Sequence, residues 1–159
     1  MQKSILMLEN DEVFHGYSIG YKDIVVGEVV FNTALTGYQE IITDPSYKNQ
    51  IITFTYPHIG NVGVNSDDNE SNGVYISGLI LNEVPTNQSN WRAQDSLKNF
   101  LVKNKVVCIA GIDTRYLTSL IREKGSLNAC ISSSNLDIKY IKKELQSFPG
   151  IKGSDLAKV

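Results

Sequence analysis

Residues 106–131 read VVCIAGIDTRYLTSLIREKGSLNACI, and the punctuation of this stretch decides the fold. Its opening run, Val106, Val107, Cys108, Ile109 and Ala110, is apolar without alternation, the pattern of a strand covered on both faces. Asp113 stands where a helix N-cap is needed, because its carboxylate can accept from a backbone N–H that the first turn leaves unpaired. Leu117, Leu120 and Ile121 then follow the spacing that puts them on one helical face, and Gly125 supplies the stop. Leu127, Ala129 and Ile131 alternate, as one face of a further strand does. A strand that needs cover on both sides, followed directly by helix and strand, implies helices layered on a sheet.

Working outward, the N-terminal third reads as strands. Residues 4–9 form a short apolar run that meets a polar turn at Asn10-Asp11, and residues 13–19 follow as the partner strand. Residues 24–31 are rich in β-branched side chains and broken by Gly27, which marks a bulge or a close approach of backbone. Residues 36–47 predict a short helical turn ended before Pro45, and residues 50–55 another strand. Residues 57–72 are dense in Gly, Asn, Ser and Asp, which is loop chemistry, and a loop beyond about 12–15 residues is commonly functional. Residues 74–81 predict a strand. In 95–103, Leu97, Phe100 and Leu101 share a helical face. Ile138, Ile141, Leu145 and Phe148 mark the buried stripe of a last helix ended by Pro149-Gly150. Strands first, then helices alternating with strands, place the chain in the α/β or α+β class.

Composition narrows the function. At 159 residues the chain has the size of one domain, and 42% hydrophobic with 20% charged residues is ordinary globular balance. Fifteen Lys and Arg against seventeen Asp and Glu give a net charge of −2, which offers no electrostatic case for nucleic acid or an anionic membrane. Cys108 and Cys130 sit among apolar or small residues, as buried thiols of a reducing compartment do, rather than in a disulfide framework. The apolar run at 5–8 ends at Glu9, too short for a signal-peptide core or a membrane span. The glycosylation sequons at Asn69 and Asn87 therefore carry no weight, and the expected location is the cytoplasm.

Chemistry is sparse. No phosphate-binding glycine loop occurs, and no G-x-S-x-G or G-x-C-x-G elbow exposes a nucleophile. His15 and His58 are far apart and lie in no metal-ligand spacing. The acidic loop Asp67-Asp68-Asn69-Glu70 lacks the glycine and late glutamate of a calcium loop. No metal or cofactor site is expected in the chain, and no catalytic residue. Residues 33–47 stand out, because they pack hydroxyl and amide side chains between two strands. There Ser46 offers a donor and an acceptor to a polar ligand. A capped turn built from Asp44 and Ser46 explains the same residues.

Several blocks carry a resemblance. They are Gly27-Glu28-Val29-Val30-Phe31-Asn32-Thr33, Thr36-Gly37-Tyr38-Gln39-Glu40-Ile41 and Thr43-Asp44-Pro45-Ser46-Tyr47. Further on stand Thr55-Tyr56-Pro57-His58-Ile59-Gly60-Asn61-Val62-Gly63, Ile112-Asp113-Thr114-Arg115, Leu120-Ile121-Arg122-Glu123-Lys124-Gly125 and Phe148-Pro149-Gly150. In this order they resemble the N-terminal domain of the small, glutamine amidotransferase subunit of carbamoyl-phosphate synthetase.

The resemblance implies a three-layer β/β/α fold of the swivelling type over residues 1–150. Residues 151–159 would then begin a linker to a class I amidotransferase domain outside this sequence. It implies that the assembled enzyme uses glutamine, bicarbonate and two ATP to make carbamoyl phosphate, with ATP and Mg on a large subunit that this domain docks onto. It also implies that the catalytic Cys, His and Glu belong to the amidotransferase domain, since Cys108 and Cys130 do not match the family nucleophile. Ser46 matches the family serine that helps to bind glutamine. The Gly/Asn-rich loop at 60–72 is a candidate contact with the large subunit. A standalone interaction module that keeps the fold without the activity is the alternative.

Overall fold

The computed structural model describes residues 2–34, 38–55, 73–83 and 97–148. Among the described residues there are seven strands: β1 (Lys3–Leu8), β2 (Val13–Ser18), β3 (Ile24–Asn32), β4 (Gln50–Phe54), β5 (Gly78–Ile80), β6 (Val107–Ala110) and β7 (Leu127–Ser132). Helix α1 spans Tyr38–Ile42, a 3₁₀ turn spans Pro45–Tyr47, helical residues 97–103 form α2, and α3 (Thr114–Lys124) and α4 (Ile138–Ser147) follow. The strands close into a barrel in the order β1-β2-β6-β5-β4-β3-β7. The fold is mixed α/β, as the sequence pattern requires.

The parallel ladders β3–β4, β4–β5 and β5–β6 each need a crossover, because parallel neighbours cannot be joined by a tight turn. The crossover from β3 to β4 carries α1 and the 3₁₀ turn, and that from β5 to β6 carries α2. Antiparallel ladders join β1 to β2 and β7, β3 to β7, and β2 to β6.

The period of two along each strand sorts the core into layers. Leu6, Leu8, Ile51, Ile80, Val107 and Ile109 face the barrel interior, where Leu117, Leu120 and Ile121 of α3 join them. Ile52, Phe54, Leu79 and Cys108 face outward from β4, β5 and β6 and pack against Ile42, Phe100 and Leu101 of α1 and α2. Ile5, Met7 and Cys130 face outward on the opposite side, under Ile141 and Leu145 of α4.

The quoted stretch folds as its residues dictate. All of β6 is buried. The Asp113 carboxylate accepts from the Tyr116 N–H at 3.1 Å, and Gly125, at φ 85°, donates its N–H to the Ile121 carbonyl at 2.9 Å. Two readings change, and of the two options at Gly27 one holds. The strand expected at 74–81 shrinks to Gly78–Ile80, because Val74 and Ile76 pack on the core without strand pairing. Ile138 is 40% exposed, since α4 seats only Ile141 and Leu145 on the sheet. Gly27 lies in unbroken register opposite Ala129, so it is not a bulge. A side chain there would stand 2.7 Å from the Asn49 carbonyl oxygen, the close approach that was the other option. The helix stop at Pro149-Gly150 and the tail at 151–159 lie outside the described residues.

Among the described residues, the buried hydroxyls of Ser18 and Thr53 have no hydrogen-bond partner. Thr53 follows Ile51 by two residues on the same face of β4, is fully buried, and its hydroxyl has no hydrogen-bond partner. An orphaned hydroxyl costs about 1–3 kcal/mol, so Thr53→Val, which keeps the shape, should raise unfolding stability by about 1 kcal/mol. Urea denaturation checks this, and a loss of stability would show that the hydroxyl is partnered.

Candidate functional site

The segment that joins β3 to β4 carries the candidate residue. After α1 the chain enters the 3₁₀ turn through Asp44, whose backbone is extended (φ −76°, ψ 120°) and whose carboxylate accepts from the Ser46 N–H at 2.9 Å. Pro45 fits the first helical position, where its missing N–H is no loss. The Tyr47 and Lys48 N–H groups close onto the Asp44 and Pro45 carbonyls, each at 3.1 Å. Asn49 then turns in the left-handed region at φ 64° and donates its N–H to the Tyr75 carbonyl at 3.0 Å, which delivers the chain to β4.

This geometry leaves Ser46 exposed on a turn whose inner side is fixed. Ile42 and Thr43 are buried, and Tyr47 is half-buried against the α1–α2 side of the core. The Tyr47 phenol oxygen accepts from Asn32 Nδ2 at 3.2 Å, while Asn32 Oδ1 takes the Ala34 N–H at 2.8 Å. The backbone N–H of Ser46, and then its hydroxyl, hold the Asp44 carboxyl below its ordinary pKa. The capped turn inferred from Asp44 and Ser46 is therefore present, and it presents a hydroxyl to solvent at the same time. The sequence reading missed Asn32, whose part becomes visible only once β3 and β4 are paired.

The other candidates are not brought to this turn. Cys108 packs in the α1–α2 layer and Cys130 in the α4 layer, both at 0% exposure. Burial raises the Cys108 thiol far above its ordinary pKa. Burial, followed by the nearby Glu144 carboxylate, pushes Cys130 up to about 12. A nucleophilic cysteine needs the opposite shift. His15 is exposed on β2 and lines a groove of about 470 Å³ with Lys3, Ile5, Tyr17 and Leu136, away from Ser46. Among the described residues, no three His, Cys, Asp or Glu side chains converge as a metal site, and no helix is long and apolar enough to cross a membrane. His58, the acidic loop at 67–70, the sequons at Asn69 and Asn87 and the loop at 60–72 lie outside the described residues.

Fold and site together define a mixed α/β barrel domain that presents one braced polar turn between two parallel strands. Residues 6–131 match the family described as carbamoyl-phosphate synthase small chain, CPSase domain, and the chain belongs to that family. The chain is 54% identical over 155 residues to the carbamoyl phosphate synthase small chain of Thioalkalivibrio sulfidiphilus, covering 98% of this chain and 41% of that protein. It is 53% identical to the small chain of Vibrio cholerae and 51% to that of Pectobacterium atrosepticum, covering 100% and 99% of this chain and 42% of each relative. The chain thus spans about two fifths of the length of these relatives.

Proposed function

We propose that the chain is the N-terminal part of the small subunit of a glutamine-hydrolysing carbamoyl-phosphate synthetase. In this reading it docks on the large subunit and supplies Ser46 to the glutamine site. The assembled enzyme is a ligase that makes carbamoyl phosphate from glutamine, bicarbonate and two ATP in the cytoplasm, for pyrimidine and arginine synthesis. ATP and Mg are held by the large subunit. The observation that carries the reading is identity above 50% along 98–100% of the chain to proteins named as this small chain. We place the domain at residues 1–150, with 151–159 leading to a class I amidotransferase domain that holds the catalytic Cys, His and Glu. The burial that raises the Cys108 and Cys130 thiols supports that assignment, since an attacking cysteine needs a lowered pKa. The proposed finer fold is three-layer β/β/α of the swivelling type. Its support is the packing of α1 and α2 on the outer face of β4, β5 and β6, to which α4 adds cover on the opposite side.

A hydroxyl that helps to orient a bound amino acid contributes a single hydrogen bond. In the full-length subunit, Ser46→Ala should therefore raise the KM for glutamine about tenfold and leave ammonia-dependent synthesis unchanged. Steady-state kinetics with both nitrogen donors test this. An unaltered glutamine KM removes Ser46 from the site.

A further inference from the structure

An exposed serine on a three-residue 3₁₀ turn is poorly placed to orient anything by itself, because such short helical pieces have weak internal hydrogen bonding. Here the turn is held on both flanks of Ser46. On the N-terminal side the Asp44 carboxylate takes the Ser46 N–H at 2.9 Å. On the C-terminal side the Tyr47 phenol is tied to Asn32, fifteen residues earlier at the end of β3. Asn32 pairs with Phe54 across the β3–β4 ladder, so the tie reaches the rigid barrel. The Asn32 amide is oriented as well, because its oxygen is committed to the Ala34 N–H and its nitrogen must then face Tyr47.

We propose that Asp44 and Tyr47 are positioning residues that hold the Ser46 hydroxyl in its binding geometry. The inference rests on the reading of Ser46 as a ligand contact. Ordering the turn before the ligand arrives removes an entropic cost from binding. Hydrogen bonds from Ser46 also keep the Asp44 carboxylate ionised further into the acid range than usual, so the N-terminal tie is charge-assisted.

The test uses the full-length small subunit assembled with its synthetase partner, with Ser46→Ala as the reference. Asp44→Ala and Tyr47→Phe should each raise the glutamine KM about three- to tenfold, with ammonia-dependent turnover unchanged, the cost of ordering one or two side chains on binding. Asp44→Asn keeps an acceptor for the Ser46 N–H but loses the charge, so its KM should fall between wild type and Asp44→Ala. Asp44→Ala added to Ser46→Ala should raise KM no further, because a residue acting through Ser46 has nothing left to position. A general loss of folding would lower the thermal unfolding temperature of the small subunit, followed by circular dichroism, which separates positioning from structure. If Ser46→Ala raises KM while Asp44→Ala and Tyr47→Phe do not, this inference fails and the Ser46 reading stands. Additive effects in the double variant, or Asp44→Asn as damaging as Asp44→Ala, overturn it too. Wild-type KM in Ser46→Ala overturns both.

Discussion

Gly16→Ala is expected to destabilise the domain by about 3 kcal/mol, at the upper end of overpacking effects, and to lower its melting temperature by roughly 6–12 °C. Gly16 lies on β2 where the barrel closes against β6, and that seam is held by two residue pairs, Tyr17 with Ala110 and Ser18 with Ile109. A β-carbon at Gly16 would press on the Ala110 carbonyl oxygen and stand 2.9 Å from Ile109 Cγ1 and 3.0 Å from Ile112 Cδ1. The first of these is backbone inside a ladder, and it cannot turn away as a flexible side chain can. Relief requires β2 to move off β6, which opens the barrel at its shortest pairing. Gly73, which a β-carbon would leave in open space, is the control, and Gly73→Ala should change stability little. Thermal unfolding followed by circular dichroism measures both. A Gly16→Ala variant that melts with wild type would mean that the seam is looser than described.

The second large effect is at Phe54. It is fully buried at the end of β4 and packs with Ile42, Leu79 and Leu101, while Tyr47 rests on the same cluster. Phe54→Ala should cost about 3–5 kcal/mol, the range for removing a buried aromatic ring and leaving a cavity. Phe54→Leu, which refills most of the space, should cost well under half of that. The residue also sits opposite Asn32 in the β3–β4 ladder, so the cavity opens beside the tie that holds the Ser46 turn. Chemical denaturation of both variants decides this, and equal stabilities for alanine and leucine would contradict the packing.

The contrast between these sites shows why the sequence was uneven in what it disclosed. The unit from β6 to β7 was legible in detail because its signals are local. Asp113 caps within three residues, Gly125 stops the helix in the left-handed region, and the apolar spacing changes from helical to alternating. Barrel closure was not legible, since it depends on pairings such as Val26 with Cys130 and Tyr17 with Ala110, far apart in the chain. The strand expected at 74–81 was too long at its start, because Val74 and Ile76 are apolar for burial against a core, which asks for such side chains with or without a ladder. At the candidate site, local chemistry reached the capped turn of Asp44 and Ser46 and could go no further. The cap uses the Asp44 carboxylate and the Ser46 N–H, and the reading of the Ser46 hydroxyl as a ligand contact came from family resemblance alone. Asn32 stood in a matching block but gave no signal of its contact with Tyr47, because an asparagine at a strand end is ordinary until its partner across fifteen residues is in place.

Docking on the large synthetase subunit is the claim on which the functional account depends, and sedimentation velocity of this chain mixed with purified large subunit measures it most directly. The account predicts a boundary that sediments faster than the large subunit alone and contains both polypeptides in equal number. Independent sedimentation of the two, with the domain shown to be folded by circular dichroism, would contradict it.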